Sequence, residues 1–499
     1  MTHPAENALF AELSDWFSQR AERKIETSCA QVFLEGARAW KIKRPVDYGY
    51  LDYSTTDKRR WALERELRFN RLAAPDIYLS VRSVTREGDG SLAIDGQGAV
   101  LEHVLEMRRF DENAVLAECP WVIDGPLADQ LGRATARFHK AAERQVGAEG
   151  GALGWTVASN ARVLKTFKSS LGAAEVQDLI DRSWAALEEA KPLLKQRGEA
   201  GYMRRCHGDL HLGNVLLENG APVLFDCIEF NDALGEMDVL YDLGFLLMDL
   251  DFRRRTDAAN RALNAWLDEA ARDLPVGHWQ GLSLLPLILS VRAGIRTHVN
   301  AFAGDLAAAQ AYLTKAREHL DHRPAALVAI GGLSGSGKST LARMAAPGLG
   351  GAPGAVVLRA DEVRKRLFEA VPLQTLGPEC YTPQAHSRVY DQMRSEAAAV
   401  LAAGRSVVLD ATFLDPAERE KVSALAAQLG APFEGVWLNS DAAVLRERVT
   451  NRHGDASDAD VVVLDAQLKD YAGPPSAWTL VTDADFDSEA RQLTDRLGR

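Results

Sequence analysis

The sequence predicts two folds in one chain, an α+β domain followed by an α/β domain with a parallel sheet. Three observations carry this expectation. Residues 26–110 contain the strand-like runs VFLEGARAWKIK, DIYLSVRSVTREGDGSLAI and GAVLEHVLEM around one charged helical stretch, Lys58 to Leu72. Residues 126–200 and 232–320 are rich in Ala, Leu, Arg and Glu at helical spacing, with a short strand–turn–strand between them at 215–225. Beyond Pro324, which breaks a helix in DHRPAA, the pattern becomes strand, glycine loop, helix, strand to the end. The predicted boundary is residue 322. One domain spans 1–322, with a small strand-rich lobe of about 1–115 and a large helical lobe of about 116–322; the second spans 323–499.

Length and composition agree with this division. At roughly 100–200 residues per domain, 499 residues imply two or three cores. Apolar residues at 46% and charged residues at 26% exclude disordered, collagenous and disulfide-scaffold classes. A net charge of −12 argues against a nucleic-acid or anionic-membrane partner, because phosphate polymers attract basic surfaces. Residues 323–499 hold 19 basic and 23 acidic residues, net −4, so neither part carries a basic excess. The apolar run Leu282–Val291 is interrupted by Ser283, Pro286 and Ser290, and no run reaches the ~18 residues of a membrane span. MTHPAENALF lacks a signal-peptide layout, and the five cysteines form no CxxC pair or zinc spacing. The expectation is a cytoplasmic protein with reduced thiols.

The first chemical constellation is His-Gly-Asp-Leu-His-Leu-Gly-Asn at 207–214, followed by VLLENGAPVLFD. Asn219-Gly220 between apolar runs predicts a two-residue hairpin turn, since both central residues must take positive φ. Counting outward sets Asn214 opposite Phe225 and Gly213 opposite Asp226. Asn214 and Asp226 then emerge at the open end of one antiparallel pair, within about 5–8 Å. An amide oxygen and a carboxylate so placed suit Mg²⁺ bridging nucleotide phosphates. Asp209, five residues before Asn214, lies where it can take or orient the proton of an attacking hydroxyl. The D-x₄-N…D arrangement is the phosphoryl-transfer template of protein kinases.

HGDLHLGN closely resembles the catalytic loop of aminoglycoside phosphotransferases and their choline-kinase-like relatives. The resemblance implies a bilobal protein-kinase-like domain with Asp209 as catalytic aspartate and Asn214 and Asp226 as metal ligands. Leu212 stands where that family usually has Pro. His207 and His211 are expected to order the loop, and Asp242 to anchor it or cap a helix. In AWKIKRP, alternation puts Lys41 and Lys43 on one strand face and Trp40 and Ile42 on the other. One lysine is expected to contact the α- and β-phosphates. The resemblance favours Lys43, with Lys41 the alternative. Glu66, beside the Leu63–Leu67 stripe, is the expected ion-pair partner, and Glu64 the alternative. No G-x-G-x-x-G precedes the lysines, so ETSCAQVFL would cover the phosphates, as in small-molecule kinases.

The second constellation, Gly332-Leu-Ser-Gly335-Ser-Gly337-Lys338-Ser339, is a full G-x₄-G-K-[ST] pattern between an apolar strand and a helix that continues with Thr340. Glycines let the backbone wrap phosphates, and the helix N-terminus supplies N–H groups and positive potential. Lys338 is expected at the β- and γ-phosphates and Ser339 on Mg²⁺. Two further strands end in acids, at Asp361 (with Arg364 one turn on) and at Asp410. This set resembles the small P-loop kinases: gluconate kinases, polynucleotide 5′-kinases, chloramphenicol phosphotransferase and zeta toxins. The resemblance implies Asp361 as proton acceptor, Arg364 as substrate ligand and Asp410 as a metal-site acid. It also implies a lid around Arg446, Arg448 and Arg452 that clamps nucleotide phosphates.

The whole chain resembles a bacterial family in which an aminoglycoside-phosphotransferase-like domain is fused to an ATP-binding P-loop kinase. The expected activity is bifunctional: ATP and Mg²⁺ used twice, each time on a hydroxyl of a sugar, amino sugar or nucleoside. Two alternatives stand beside it: a nucleotide-sensing regulator with one non-catalytic domain, and a polynucleotide 5′-kinase or zeta-toxin-like C-terminal activity.

Overall fold

The structure is a computed structural model that describes residues 4–49, 51–145, 151–274, 278–451, 456–482 and 485–497. The chain forms two compact units and passes between them repeatedly. The first comprises Met1–Ile123, Arg137–Trp155 and Leu194–Leu246; the second comprises Asp124–Ala136, Thr156–Leu193 and Leu247–Arg499. Chain order and packing thus divide the molecule differently, and residue 322 is not where the compact units part.

In the first unit, β1 (Arg23–Glu26), β2 (Ala30–Glu35), β3 (Arg38–Lys43), β4 (Tyr78–Arg86), β5 (Leu92–Ile94) and β6 (Ala99–Arg108) form an antiparallel sheet of order β1-β2-β3-β6-β4-β5. The alternation of β3 makes its two faces chemically distinct. Trp40 and Ile42 enter an apolar cluster with Phe33, Val84 and Val104, closed by Leu13 and Phe17 of the helix Pro4–Ser18. Sequence reading did not register that helix. Ala39 lies on the opposite face with Leu63 of the helix Thr56–Asn70, and Lys41 and Lys43 share its side of the strand. Thr55 caps that helix by accepting from Lys58 N–H.

Four shorter strands carry the first constellation: β7 (Met203–Arg205), β8 (Val215–Glu218), β9 (Ala221–Leu224) and β10 (Glu236–Asp238), with β10 antiparallel to β7. β8 and β9 form the expected hairpin, Val215 opposite Leu224. Asn219 and Gly220 take φ of 51° and 75°, as the two-residue turn demands. Phe225 N–H donates to Asn214 O at 3.1 Å, the pairing obtained by counting outward from the turn.

In the second unit, β11 (Leu327–Gly332), β12 (Val356–Arg359), β13 (Val407–Asp410), β14 (Phe433–Asn439) and β15 (Thr479–Thr482) form a wholly parallel sheet of order β12-β13-β11-β14-β15. All six residues of β11 are buried, the mark of a strand covered on both faces. Val328, Ile330, Val408 and Val436 form its core with Leu341 and Leu493 from flanking helices. The helix Thr256–Asp273 packs on β12 in the same unit: Asn260 Nδ2 donates to Ala355 O (2.9 Å), and Val357 N–H donates to Asn264 Oδ1 (2.7 Å). Gln280–Phe302 is the one described segment long and apolar enough to cross a membrane, with a mean hydropathy of 1.2. The expectation that none reaches that length followed from unbroken runs. Two thirds of its most apolar stretch is nevertheless buried inside the protein, so it serves as a core helix here.

Candidate active sites

Asp242 organises the first site from beneath. Fully buried, it accepts His207 N–H at 3.0 Å and Gly208 N–H at 2.8 Å, and it lies 3.0 Å from His139 Nε2. It is therefore a loop anchor. Burial holds the His207 pKa below its ordinary value, and one neutral tautomer meets both of its contacts. Nε2–H donates to Phe225 O at 2.8 Å, while Nδ1 accepts Asp209 N–H at 3.4 Å. His211 does similar work: Nδ1 accepts Gly213 N–H (3.0 Å), and Nε2 stands 3.5 Å from Asp209 Oδ2. Both histidines order the loop.

Asn214 Nδ2 donates to Asp209 O at 2.8 Å and to Asp209 Oδ2 at 3.2 Å. With the amide nitrogen committed, Asn214 Oδ1 is the atom it can offer a cation. Asp226 follows the hairpin at a left-handed φ of 64°, its N–H donating to the Tyr78 hydroxyl (3.0 Å) and its side chain half exposed. An amide oxygen and a carboxylate at one hairpin mouth fit Mg²⁺, which prefers hard oxygen ligands.

The two lysines differ in depth, and the geometry favours Lys41 over the expected Lys43. Lys43 is 2% exposed and sunk between Glu66 Oε2 and Glu229 Oε1, each 2.6 Å away; Tyr53 OH also donates to Glu229. Lys41 bridges Glu66 Oε1 (2.6 Å) and Asp226 Oδ1 (3.2 Å), so it is the lysine that reaches the candidate metal acid. Burial opposes the Lys41 charge, but Asp226 and Glu66 outweigh burial and hold its pKa well above the ordinary value. Glu66 is fully buried, whereas Glu64 pairs with Arg60 on the surface, so Glu66 is the partner. Glu229, 186 residues from Lys43, had no sequence signal.

The second site is a cavity of about 1020 Å³ at the carboxyl ends of the parallel strands, lined by the glycine loop, Thr340, Asp361, Arg364, Asp410 and Arg448. Gly332 ends β11, and Gly335 and Gly337 take φ of 83° and 95°. A Cβ at Gly335 would stand 2.9 Å from Leu445 O, and one at Gly337 would strike the Phe486 ring at 2.4 Å. Ser336 Oγ is buried with no hydrogen-bond partner among the described residues, a donor left for a ligand oxygen. Lys338 Nζ bends back to Leu333 O at 2.9 Å. Ser339 Oγ donates to Asp410 Oδ2 at 2.6 Å, bringing the two expected metal ligands together. Asp410 is not a helix cap, since Asp415 caps the following helix. These groups fit a magnesium-bound nucleotide.

Asp361 opens the helix Ala360–Leu367, where burial, helped by Asp410, raises its carboxyl pKa against the opposing pull of Arg359. Arg364 is only 4% exposed: it donates to Cys380 O (2.7 Å), meets His386 Nδ1 (3.2 Å) and lies over Tyr381. Its Nε alone is left without a partner, so the expected substrate arginine is more committed to the fold than its spacing implied. Arg448 reaches Gly335 O at 3.5 Å, Arg446 pairs with Asp465, and Arg452 lies outside the described residues. Sequence reading missed Arg359, which contacts Ser339 Oγ (3.1 Å) and Asp410 Oδ2 (3.2 Å). Its place as the last residue of β12 was the available signal.

Fold and sites define a protein-kinase-like phosphotransferase joined to a P-loop kinase. Residues 85–279 match the phosphotransferase enzyme family, and residues 327–474 match an AAA domain. The uncharacterized proteins Rv2004c of Mycobacterium tuberculosis and Mb2027c of Mycobacterium bovis are each 30% identical over 453 residues, 87% of this chain and 87% of theirs. The chain belongs to the family of these mycobacterial proteins, and it is an ATP-dependent kinase. Similar solved structures include a gluconokinase from Sinorhizobium meliloti (22% identity, 36% of this chain and 95% of that one, TM-score 0.26). An APS kinase from Mycobacterium tuberculosis is 21% identical over 36% of this chain and 100% of its own, with a TM-score of 0.25.

Proposed function

We propose that the chain is a bifunctional phosphotransferase, each site moving the γ-phosphoryl group of magnesium–ATP to a hydroxyl of a small molecule of the sugar, amino-sugar or nucleoside class. The observation that supports this reading is that each site brings a carboxylate beside an oxygen pair suited to magnesium: Asp209 with Asn214 and Asp226, and Asp361 with Ser339 and Asp410. Bound magnesium–ATP supplies the phosphoryl donor and neutralises its charge.

In the first site Asp209, steadied by His211 and Asn214, takes the proton of the acceptor hydroxyl. The acceptor oxygen then bonds to the γ-phosphorus, and the bond from that phosphorus to the β–γ bridging oxygen breaks. Lys41, held by Glu66, positions the α- and β-phosphates, and Asn214 and Asp226 would hold the metal. In the second site the loop N–H groups and Lys338 carry the phosphates, Thr340 lies in the loop's first helical turn, and Ser339 and Asp410 would hold the metal. Asp361 takes the proton there; burial raises its pKa above that of an ordinary carboxylate, which favours proton uptake. Arg364, at the cavity wall, is the side chain for the acceptor, and Arg448 belongs to the lid.

Lys41 and Lys43 should separate by phenotype. Lys41→Met leaves Glu66 paired with Lys43, so the protein should fold and lose about 10²-fold in kcat/KM for the first reaction. Lys43→Met leaves Glu229 buried without its cation, which should cost about 3–5 kcal/mol of stability. Thermal melts and initial rates on both variants decide it; equal melting temperatures with activity lost only in Lys43→Met would restore Lys43 as the phosphate ligand. The function itself is tested by screening the full chain against hydroxylated metabolites for a mass gain of one phosphate. Failure of every sugar, amino sugar and nucleoside while ATP still binds would overturn the reading.

A further inference from the structure

A second cavity, of about 630 Å³, lies within the second compact unit, walled by the helix Thr256–Asp273 on one side and the helices Lys338–Ala345 and Phe486–Leu497 on the other. Arg261, Arg343 and Arg359 line it. Two of these cations are matched. Arg261 is bidentate to Asp129 at 2.8 and 2.7 Å, and Arg359 meets Glu362 at 3.0 Å and Asp410 at 3.2 Å. Arg343 is half-buried and has neither ion pair nor hydrogen bond among the described residues. Burial and the neighbouring Arg359 and Arg261 guanidinia press its pKa below the ordinary value, yet an arginine keeps its charge. Glu362 and Asp129 at the wall also attract it, but each is engaged by another arginine, so Arg343 is left as a half-buried cation free to take an anionic ligand.

The rim adds carboxylates beside the exposed Arg491. Asp257, Asp487 and Asp495 are exposed carboxylates, acceptors for hydroxyl donors. A cavity with an anion-seeking wall and a hydroxyl-accepting rim matches a small polyol carrying one phosphate, and its volume is within the range of small-molecule sites. Arg343 is also placed to act on the phosphate loop. It lies one helical turn beyond Ser339 on the same helix face, and Arg359, at the cavity wall, donates to Ser339 Oγ (3.1 Å) and Asp410 Oδ2 (3.2 Å). Arg359 thus occupies the oxygens that magnesium would need.

We propose that this cavity binds a phosphate monoester of a small hydroxylated molecule, its phosphate on Arg343 and Arg359, and that occupancy draws Arg359 off the Ser339–Asp410 pair and strengthens magnesium–nucleotide binding at the adjacent loop. The ligand favours the arrangement in which Arg359 faces the cavity, and by linkage the nucleotide must favour the ligand equally.

Calorimetric titration of the full chain with inorganic phosphate and with glucose 6-phosphate tests the site without relying on turnover or on the acceptor class proposed above. Wild type should bind both, glucose 6-phosphate more tightly. Arg343→Gln should weaken binding tenfold or more, Arg343→Lys should restore most of it, and Lys338→Ala should leave it unchanged. Magnesium–ADP affinity should then rise several-fold with glucose 6-phosphate present, within the usual coupling range of about 5–150-fold, and this gain should vanish in Arg343→Gln. Among the described residues Arg343 has no hydrogen bond or ion pair to lose, so the Gln variant should melt no lower than wild type. Unchanged binding in Arg343→Gln, or binding lost in Lys338→Ala instead, would overturn the site. Equal affinity for the two probes would overturn the hydroxyl rim, and an unmoved magnesium–ADP affinity would overturn the link through Arg359.

Discussion

Asp209→Asn should lower transfer by the first site about 10²–10⁴-fold, the usual worth of a positioned proton acceptor, while ATP binding is largely retained. The substitution preserves side-chain shape and one acceptor oxygen, so the contacts from Asn214 Nδ2 and His211 can persist in altered form. It removes the basic oxygen that takes the proton. Lys41, Glu66 and Asp226 hold one another and do not depend on Asp209 for their contacts. The measurement is the first-site rate in a Lys338→Ala background, where only that site can turn over, alongside nucleotide binding. A rate within threefold of the parent would remove Asp209 from the mechanism.

Lys338→Ala should remove nucleotide use by the second site only, with a loss of about 10²–10³-fold in kcat, as when one preorganised charge donor is deleted. Its ammonium donates to Leu333 O within the same loop, and folding should scarcely change. The complementary background, Asp209→Asn, isolates the second site for the assay. If either change silenced both reactions equally, the two sites would not be independent. Full-length variants are the right material for both tests. The helix Thr256–Asp273 hydrogen-bonds to the backbone of β12 and its approach, so cutting at residue 322 would strip the parallel sheet of a covering helix.

What was legible in the sequence was local. The Asn219-Gly220 turn determines its own hairpin, and counting outward from it yields the pairing of Asn214 with Phe225 without any tertiary information. The glycine loop, Asp361 just after β12 and Asp410 at the end of β13 were legible for the same reason: a parallel strand followed by a helix puts its carboxyl end at the crevice wherever the strand lies in the sheet. Asp242 was read as a loop anchor or helix cap, and its three partners were not nameable, because His139 and the His207–Gly208 amides meet it only after folding.

The choice between Lys41 and Lys43 shows the limit. Alternation puts both on one face, but their depth depends on Glu229 and Asp226, more than 180 residues away, and no spacing rule reports burial. Arg359 is similar: its position in β12 is local, whereas its contacts to Ser339 and Asp410 exist because three parallel strands lie side by side. By itself, then, the sequence determined the two phosphate-handling motifs, since their geometry is set by backbone turns a few residues long. The tertiary structure decided which lysine meets Asp226, which cavity arginine has no ion pair among the described residues, and which sheet the helix Thr256–Asp273 covers. Those outcomes depend on long-range packing, where burial and distant charges outweigh local propensity.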